Sequence, residues 1–347
     1  MKINNRFLLT AFIGLLITQS CSKKDPVLPK LPPIYHQDGD ISKVMFNRPD
    51  GVNIVFLGDG FTKEDLKENG KFDTQVKKLS DFFFSIEPFK QYKKYFNVYQ
   101  VYAESKVSGA GNYYIPDRTK FDAYFGTLTN EYLVTGNYDA SYQYASKAVP
   151  VNEIALLVML VNDDRYGGTG GSIATVSTGD WAEYTLVHEA GHSFAGLADE
   201  YINESISANY TLDMLPYLAN VDNTSDLRRI KWAHLLEHPT YRPQLGAFEG
   251  GYYRNEGIFR PEENSIMRNI GTAWFNAPSR EAIVKTIHSR MAMPYNLNEF
   301  IRDDAKNLQK MPLTSNVKIP PLYHDFLDIK QRTIQLHEMR HRVVPLK

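Results

Sequence analysis

One cysteine stands in the 347 residues, Cys21, so no disulfide framework can form within the chain. Charge of one sign is also missing. Lysine and arginine number 39 against 40 aspartates and glutamates, and a net charge of −1 leaves no electrostatic footprint for nucleic acid. Short basic pairs such as Lys77-Lys78 and Lys93-Lys94 read as solvated helix faces. No internal repeat is visible, which argues against a solenoid or propeller. What is present is an ordinary globular composition, 43% apolar and 23% charged, long enough for one large or two modest domains. The 22 tyrosines and 19 phenylalanines read first as core and cleft filling.

The position of the lone cysteine is informative. Lys2 and Arg6 precede an apolar run from Phe7 to Ile17, followed by small and polar residues up to Ser20. This is the layout of a secretory signal over residues 1–20, too short to span a bilayer as a helix. Cys21 with the following Ser-Lys-Lys-Asp resembles a bacterial lipoprotein signal, which implies that the cysteine becomes the lipidated first residue. Thr18 stands where that motif usually carries Leu. The expectation is an extracytoplasmic protein, lipid-anchored to a bacterial outer membrane or secreted. Residues 21–40, with Pro26, Pro29, Pro32 and Pro33, predict an extended tether, and folding is expected from residue 41 to residue 347.

The chain's chemistry concentrates in residues 183–201. Inside that stretch is His188-Glu189-Ala190-Gly191-His192, the His-Glu-x-x-His pattern. Four residues is one helical turn, so His188 and His192 project from one face and can hold one Zn²⁺ between them. Glu189 lies about 100° round the helix, outside the ligand position but within reach of a water, as a general base requires. Gly191 inside a helix costs about 1 kcal/mol against Ala, an odd choice unless something must approach closely there.

A hydrolytic zinc site needs a third protein ligand and an open fourth position. Gly196 can end the helix in a left-handed conformation and turn the chain back beneath the ion. In the metzincin pattern the third ligand falls three residues after the turn glycine. Here that place holds Asp199, one residue is inserted before the glycine, and Glu200 is the alternative ligand.

The run from His188 to Tyr201 resembles the core of the IgA-peptidase family of zinc metallopeptidases. Ile54–Thr62 and Gly246–Arg268 resemble it too, so the likeness spans about residues 50–290. The resemblance implies an endopeptidase of metzincin-like fold with one zinc per chain and a protein or peptide substrate. It does not make immunoglobulin that substrate. Asn264-Ser-Ile-Met267 resembles the Met-turn of metzincins, with Met267 packed under the histidines and not ligating. A rival reading is a non-catalytic surface lipoprotein that binds host protein or glycan on a peptidase fold. The glutamate between the two histidines argues against it, since a binding module needs no base.

The remaining stretches predict an α/β (α+β) fold with a twisted, mostly parallel sheet, long helices and a mainly helical or irregular C-terminal part after about residue 200. Val52–Leu57 and Glu153–Val161 read as buried strands, and Phe96–Ala103 as an alternating one. Thr62-Lys-Glu-Asp65 reads as a capping box opening a helix through Phe84. Residues 119–148 read as helix broken near Gly136, residues 226–237 as a helical piece, and Ser279–Met291 as a helix capped by Ser279. The metzincin-like fold that the resemblance implies would put Ser172–Ser177 at the sheet edge beside the cleft, open to strand addition or blunted by its small polar side chains. Asp59 reads as a turn residue, His234 and His238 as rival ligands, and Tyr252, Tyr253 and Arg254 as candidate oxyanion donors.

Overall fold

Ile154–Val161 has no polar face, so it is stable only where both sides of a sheet are covered. The computed structural model describes residues 32–113, 118–126 and 131–308 and places this strand in the middle of a six-stranded sheet. The signal segment, Cys21 and the tail from residue 309 lie outside the described residues.

The N-terminal half gives β1 (Ile41–Phe46), β2 (Val52–Asp59), α1 (Lys71–Phe83), the single turn α2 (Phe89–Tyr92) and β3 (Phe96–Val101). Three two-residue strands follow, β4 (Gly111–Asn112), β5 (Tyr124–Phe125) and β6 (Val134–Thr135), then α3 (Tyr138–Ala145). Next come β7 (Ile154–Val161), β8 (Gly168–Thr169), β9 (Ala174–Ser177) and α4 (Ala182–Ala195). The C-terminal half holds the single turn α5 (Ala233–Leu236), β10 (Phe248–Gly251), β11 (Arg254–Arg260), α6 (Ala277–Arg290) and α7 (Leu297–Leu308).

The sheet runs β1-β3-β2-β7-β9-β8. Its four central strands are parallel, and the edge strands β1 and β8 are antiparallel to their neighbours. Alternation along the strands sorts side chains onto two cores. Ile54, Phe56, Leu156, Val158 and Leu160 face α1 and α4, while Val55, Leu57, Leu157, Met159 and Val161 face α3 and Phe121. A mixed α/β fold with a mostly parallel sheet is the observed class.

Several boundaries differ from expectation, each for a local reason. Packed chain begins before residue 41: the Ile34 carbonyl accepts the Glu68 N–H at 2.8 Å, and the His36 ring stacks on Tyr102. Asp65 does accept the Thr62 N–H, but that box opens only a 3₁₀ turn, and α1 starts afresh after Gly70. The helix expected over 119–148 is reduced to α3. Upstream of it the buried Asp59 carboxylate accepts the Phe121 and Ala123 amides and the Thr119 hydroxyl, which draws that backbone out of any helical pattern. Only one turn of the 226–237 piece is α-helix. α6 is capped by Asn276, whose side chain accepts the Ser279 N–H at 3.0 Å, so Ser279 lies inside the helix.

Ser172–Ser177 is not an open edge. β9 is covered by β8, and β8 is bonded on its far side to the segment at Tyr132 and Val134. The hairpin β10–β11 was not expected, because its turn is made by two tyrosines, Tyr252 and Tyr253, at φ +49° and +67°. Sequence rules look for Gly or Asn at such positions.

Candidate metal centre and active site

α4 lies on the sheet beside β9, between α1 and α6, and carries His188 and His192 one turn apart. Each ring nitrogen has a definite task. Nδ1 of His188 is 2.9 Å from the Ile266 carbonyl, and Nδ1 of His192 is 2.6 Å from the Leu197 carbonyl. A carbonyl only accepts, so both Nδ1 atoms carry a proton, and it is the Nε2 atom of each ring that is left to serve as a metal donor.

The helix stops at Gly196, which sits at φ +61°, ψ +34° with nothing near its missing side chain. Backbone conformation alone calls for glycine there. The Leu197 N–H caps the Gly191 carbonyl at 3.1 Å, and the chain folds back to bring in Asp199. Asp199 Oδ1 is 3.0 Å from His188 Nε2 and 3.2 Å from His192 Nε2, and the two Nε2 atoms are 3.2 Å apart. Three potential donor atoms thus form a nearly equilateral triangle. An ion held tetrahedrally at 2.0–2.1 Å from each donor would space them about 3.3 Å apart. The donor set fits zinc in kind, number and spacing.

The electrostatics agree. Burial alone would raise Asp199, but the two histidines more than offset it and hold its carboxyl far below the usual range. Burial would lower His192, yet the Asp199 and Glu189 charges push it up to about 9, and His188 is raised by the same neighbours. Protons here take the place of a cation that the carboxylates favour.

Glu189 is buried, with its carboxylate within 4.8 Å of the histidine donors. The glycine backbone at β8 lies against it. A Cβ at Gly168 would fall 2.8 Å from Glu189 Oε1, and one at Gly170 would fall 2.9 Å from Oε2. Burial raises the pKa of Glu189, and the two histidines pull it down. A carboxylate tuned in this way is suited to accept and return a proton.

Beneath the histidines lies the turn at Asn264–Met267. Ile266 supplies the carbonyl for His188, and Met267 is fully buried against Gly191. A Cβ at Gly191 would sit 2.7 Å from the Met267 sulfur, which explains the glycine inside α4. The Glu200 N–H donates to the Met267 carbonyl at 2.8 Å. The Glu200 side chain points away from the histidines into three neutral donors: Asn220 Nδ2 at 2.7 Å, Asn276 Nδ2 at 2.6 Å and Ser265 Oγ at 2.6 Å. Burial raises its pKa. Of the two candidate third ligands, only Asp199 is brought to the triangle.

The other candidates are engaged elsewhere. Tyr253 donates its hydroxyl to Asp199 Oδ2, Tyr252 donates to the Thr211 carbonyl, and Arg254 reaches the Tyr252, Ser207 and Tyr210 carbonyls. Each of these three side chains already has a protein acceptor. His234 pairs with Glu281 at 3.0 Å, and His238 accepts the Thr240 N–H, so neither joins the triangle. Asp59 is a buried bonding hub of the fold. Sequence reasoning missed Asn220, which clamps both backbone groups of Ala198 as well as Glu200. No local pattern marks an asparagine for that task.

The family model described as IgA Peptidase M64 matches residues 45–243 and 235–287. No curated protein sequence matches the chain.

Proposed function

The chain belongs to the IgA peptidase M64 family, and from that premise we propose that this peptidase is a zinc-dependent endopeptidase acting on a protein substrate outside the cytoplasm. The observation that carries the reading is the triangle of His188 Nε2, His192 Nε2 and Asp199 Oδ1 beside the buried Glu189. These three residues would hold one Zn²⁺ per chain, which when bound supplies a Lewis acid and lowers the pKa of water.

Glu189 is the general base. Its carboxylate takes the proton of the attacking water and hands it to the leaving amine, and burial keeps its affinity for that proton high. The carbonyls of Ile266 and Leu197 fix the ring orientations, so the Nε2 lone pairs stay directed at one point. Met267 under Gly191 and the turn at Gly196 support a metzincin-like arrangement of the site. Cys21 is the lipidation site in this reading, and the protein is held at a bacterial membrane.

The test is Glu189→Ala assayed on a panel of denatured proteins. Hydrolysis should vanish while zinc stays near one per chain, because the glutamate is not a ligand. Activity retained above a small fraction of wild type would remove Glu189 from the mechanism.

A further inference from the structure

Asp199 has two oxygens, and the fold treats them differently. Oδ1 faces the two histidine Nε2 atoms, while Oδ2 accepts the hydroxyl of Tyr253. Tyr253 is buried, and its ring lies 4.0 Å from that of Tyr210 and 5.3 Å from that of Tyr201, centroid to centroid. Its backbone is tied to the very segment that carries the aspartate. The Tyr252 N–H donates to the Asp199 carbonyl at 2.9 Å, the Tyr253 N–H to Tyr201 at 3.1 Å, and the Asn203 N–H to Tyr253 at 3.0 Å. Both tyrosines occupy left-handed backbone, which side chains other than glycine rarely adopt. Such a conformation persists only where the surroundings over-determine it.

We propose that Tyr253 is a positioning residue that fixes Asp199 as a one-oxygen metal ligand. This rests on the reading of His188, His192 and Asp199 as the zinc site. A carboxylate free to turn can offer both oxygens to an ion and fill the position that a hydrolytic site must leave open. With Oδ2 held by the phenol, only Oδ1 is presented, and the side chain has one rotamer for the task. Hydrogen-bond partners of metal ligands typically change metal affinity 10–100-fold when removed. The tyrosine at the hairpin turn is therefore the means by which β10–β11 acts on the metal centre.

Tyr253→Phe keeps the ring and removes only the hydroxyl. Tyr252→Phe is the control, since it loses a hydroxyl bonded to the Thr211 carbonyl and leaves the Tyr252 N–H on the Asp199 carbonyl in place. Zinc affinity is read by chelator competition, and coordination by the visible spectrum of the cobalt(II)-substituted protein. The expected result is a zinc Kd raised about 10–100-fold for Tyr253→Phe, with weaker cobalt bands as the site gains a fifth donor. Tyr252→Phe should change neither. Equal loss in both variants, or a Tyr253→Phe titration within about twofold of wild type with an unchanged cobalt spectrum, would overturn the assignment.

Asp199→Ala is titrated in parallel to separate the two readings. Full zinc affinity in that variant sinks the ligand set itself, whereas its loss beside an unaffected Tyr253→Phe sinks only the positioning role. If Tyr253→Phe does not fold, 3-fluorotyrosine at position 253 keeps the hydroxyl and reports by ¹⁹F resonance. That resonance should move until one equivalent of zinc is bound, and a silent resonance during binding refutes the contact.

Discussion

Exchanging Asp199 and Glu200 one at a time tests the proposal that the first is a metal ligand and the second a structural carboxylate. Asp199→Ala removes one of three donors, and zinc affinity is expected to fall at least about tenfold, or about 1.4 kcal/mol. Glu200→Ala removes no donor but strands the Ser265 hydroxyl and an Asn276 N–H, both buried. The buried Asn220 keeps its bond to the Ala198 carbonyl, but its other Nδ2 hydrogen is stranded too. Three stranded donors cost about 1–3 kcal/mol each, so about 3–9 kcal/mol is expected from urea unfolding of the metal-free protein. That is a large share of the ~5–15 kcal/mol typical of a folded domain, so Glu200→Gln provides a milder companion. Its carbonyl can still accept from Asn220 and Asn276, and Ser265 can turn to accept its N–H. Zinc binding by Glu200→Gln should match wild type. Equilibrium zinc titration checks all three variants. If Asp199→Ala binds zinc like wild type while Glu200→Gln does not, the third ligand has been misassigned by one residue.

Two further outcomes follow from other parts of the chain. Cys21→Ser should move the protein from the membrane fraction to a soluble or unprocessed form, because acyl chains supply the membrane affinity; a wild type that fractionates as fully soluble would refute lipidation. Burial alone would raise Glu281, but its bonds to His234, Lys285 and Tyr295 outweigh that and bring it down to about 2, from an ordinary 4.5. A depressed carboxylate contributes stability that is present above about pH 4.5 and lost as pH falls towards about 2. Glu281→Gln should therefore flatten the acid limb of the stability profile in that window, and an unchanged limb by chemical unfolding at several pH values would count against it.

Residues acting within a turn or two of one another were legible in the sequence. Helix periodicity alone places His188 and His192 on one face and sets Glu189 aside from them. The need for a left-handed cap makes Gly196 the end of the helix, as its φ of +61° bears out. The unbroken apolar run at β7 requires an interior strand, and it lies at the centre of the sheet. Helix over 119–148 failed for the opposite reason, since the competing partner of that backbone is Asp59, far away in sequence.

The rest of the site was decided by tertiary contact. Asp199 and Glu200 are chemically alike and adjacent, and spacing could only rank them. Their roles part because one faces two imidazoles while the other meets Asn220, Asn276 and Ser265. The Ile266 carbonyl that orients His188, the Met267 sulfur that requires Gly191, and the Tyr253 hydroxyl on Asp199 all arrive from a separate hairpin and turn. A hydrogen bond between such segments leaves no periodic trace along the chain. It exists only once the hydrophobic cores have brought those segments together.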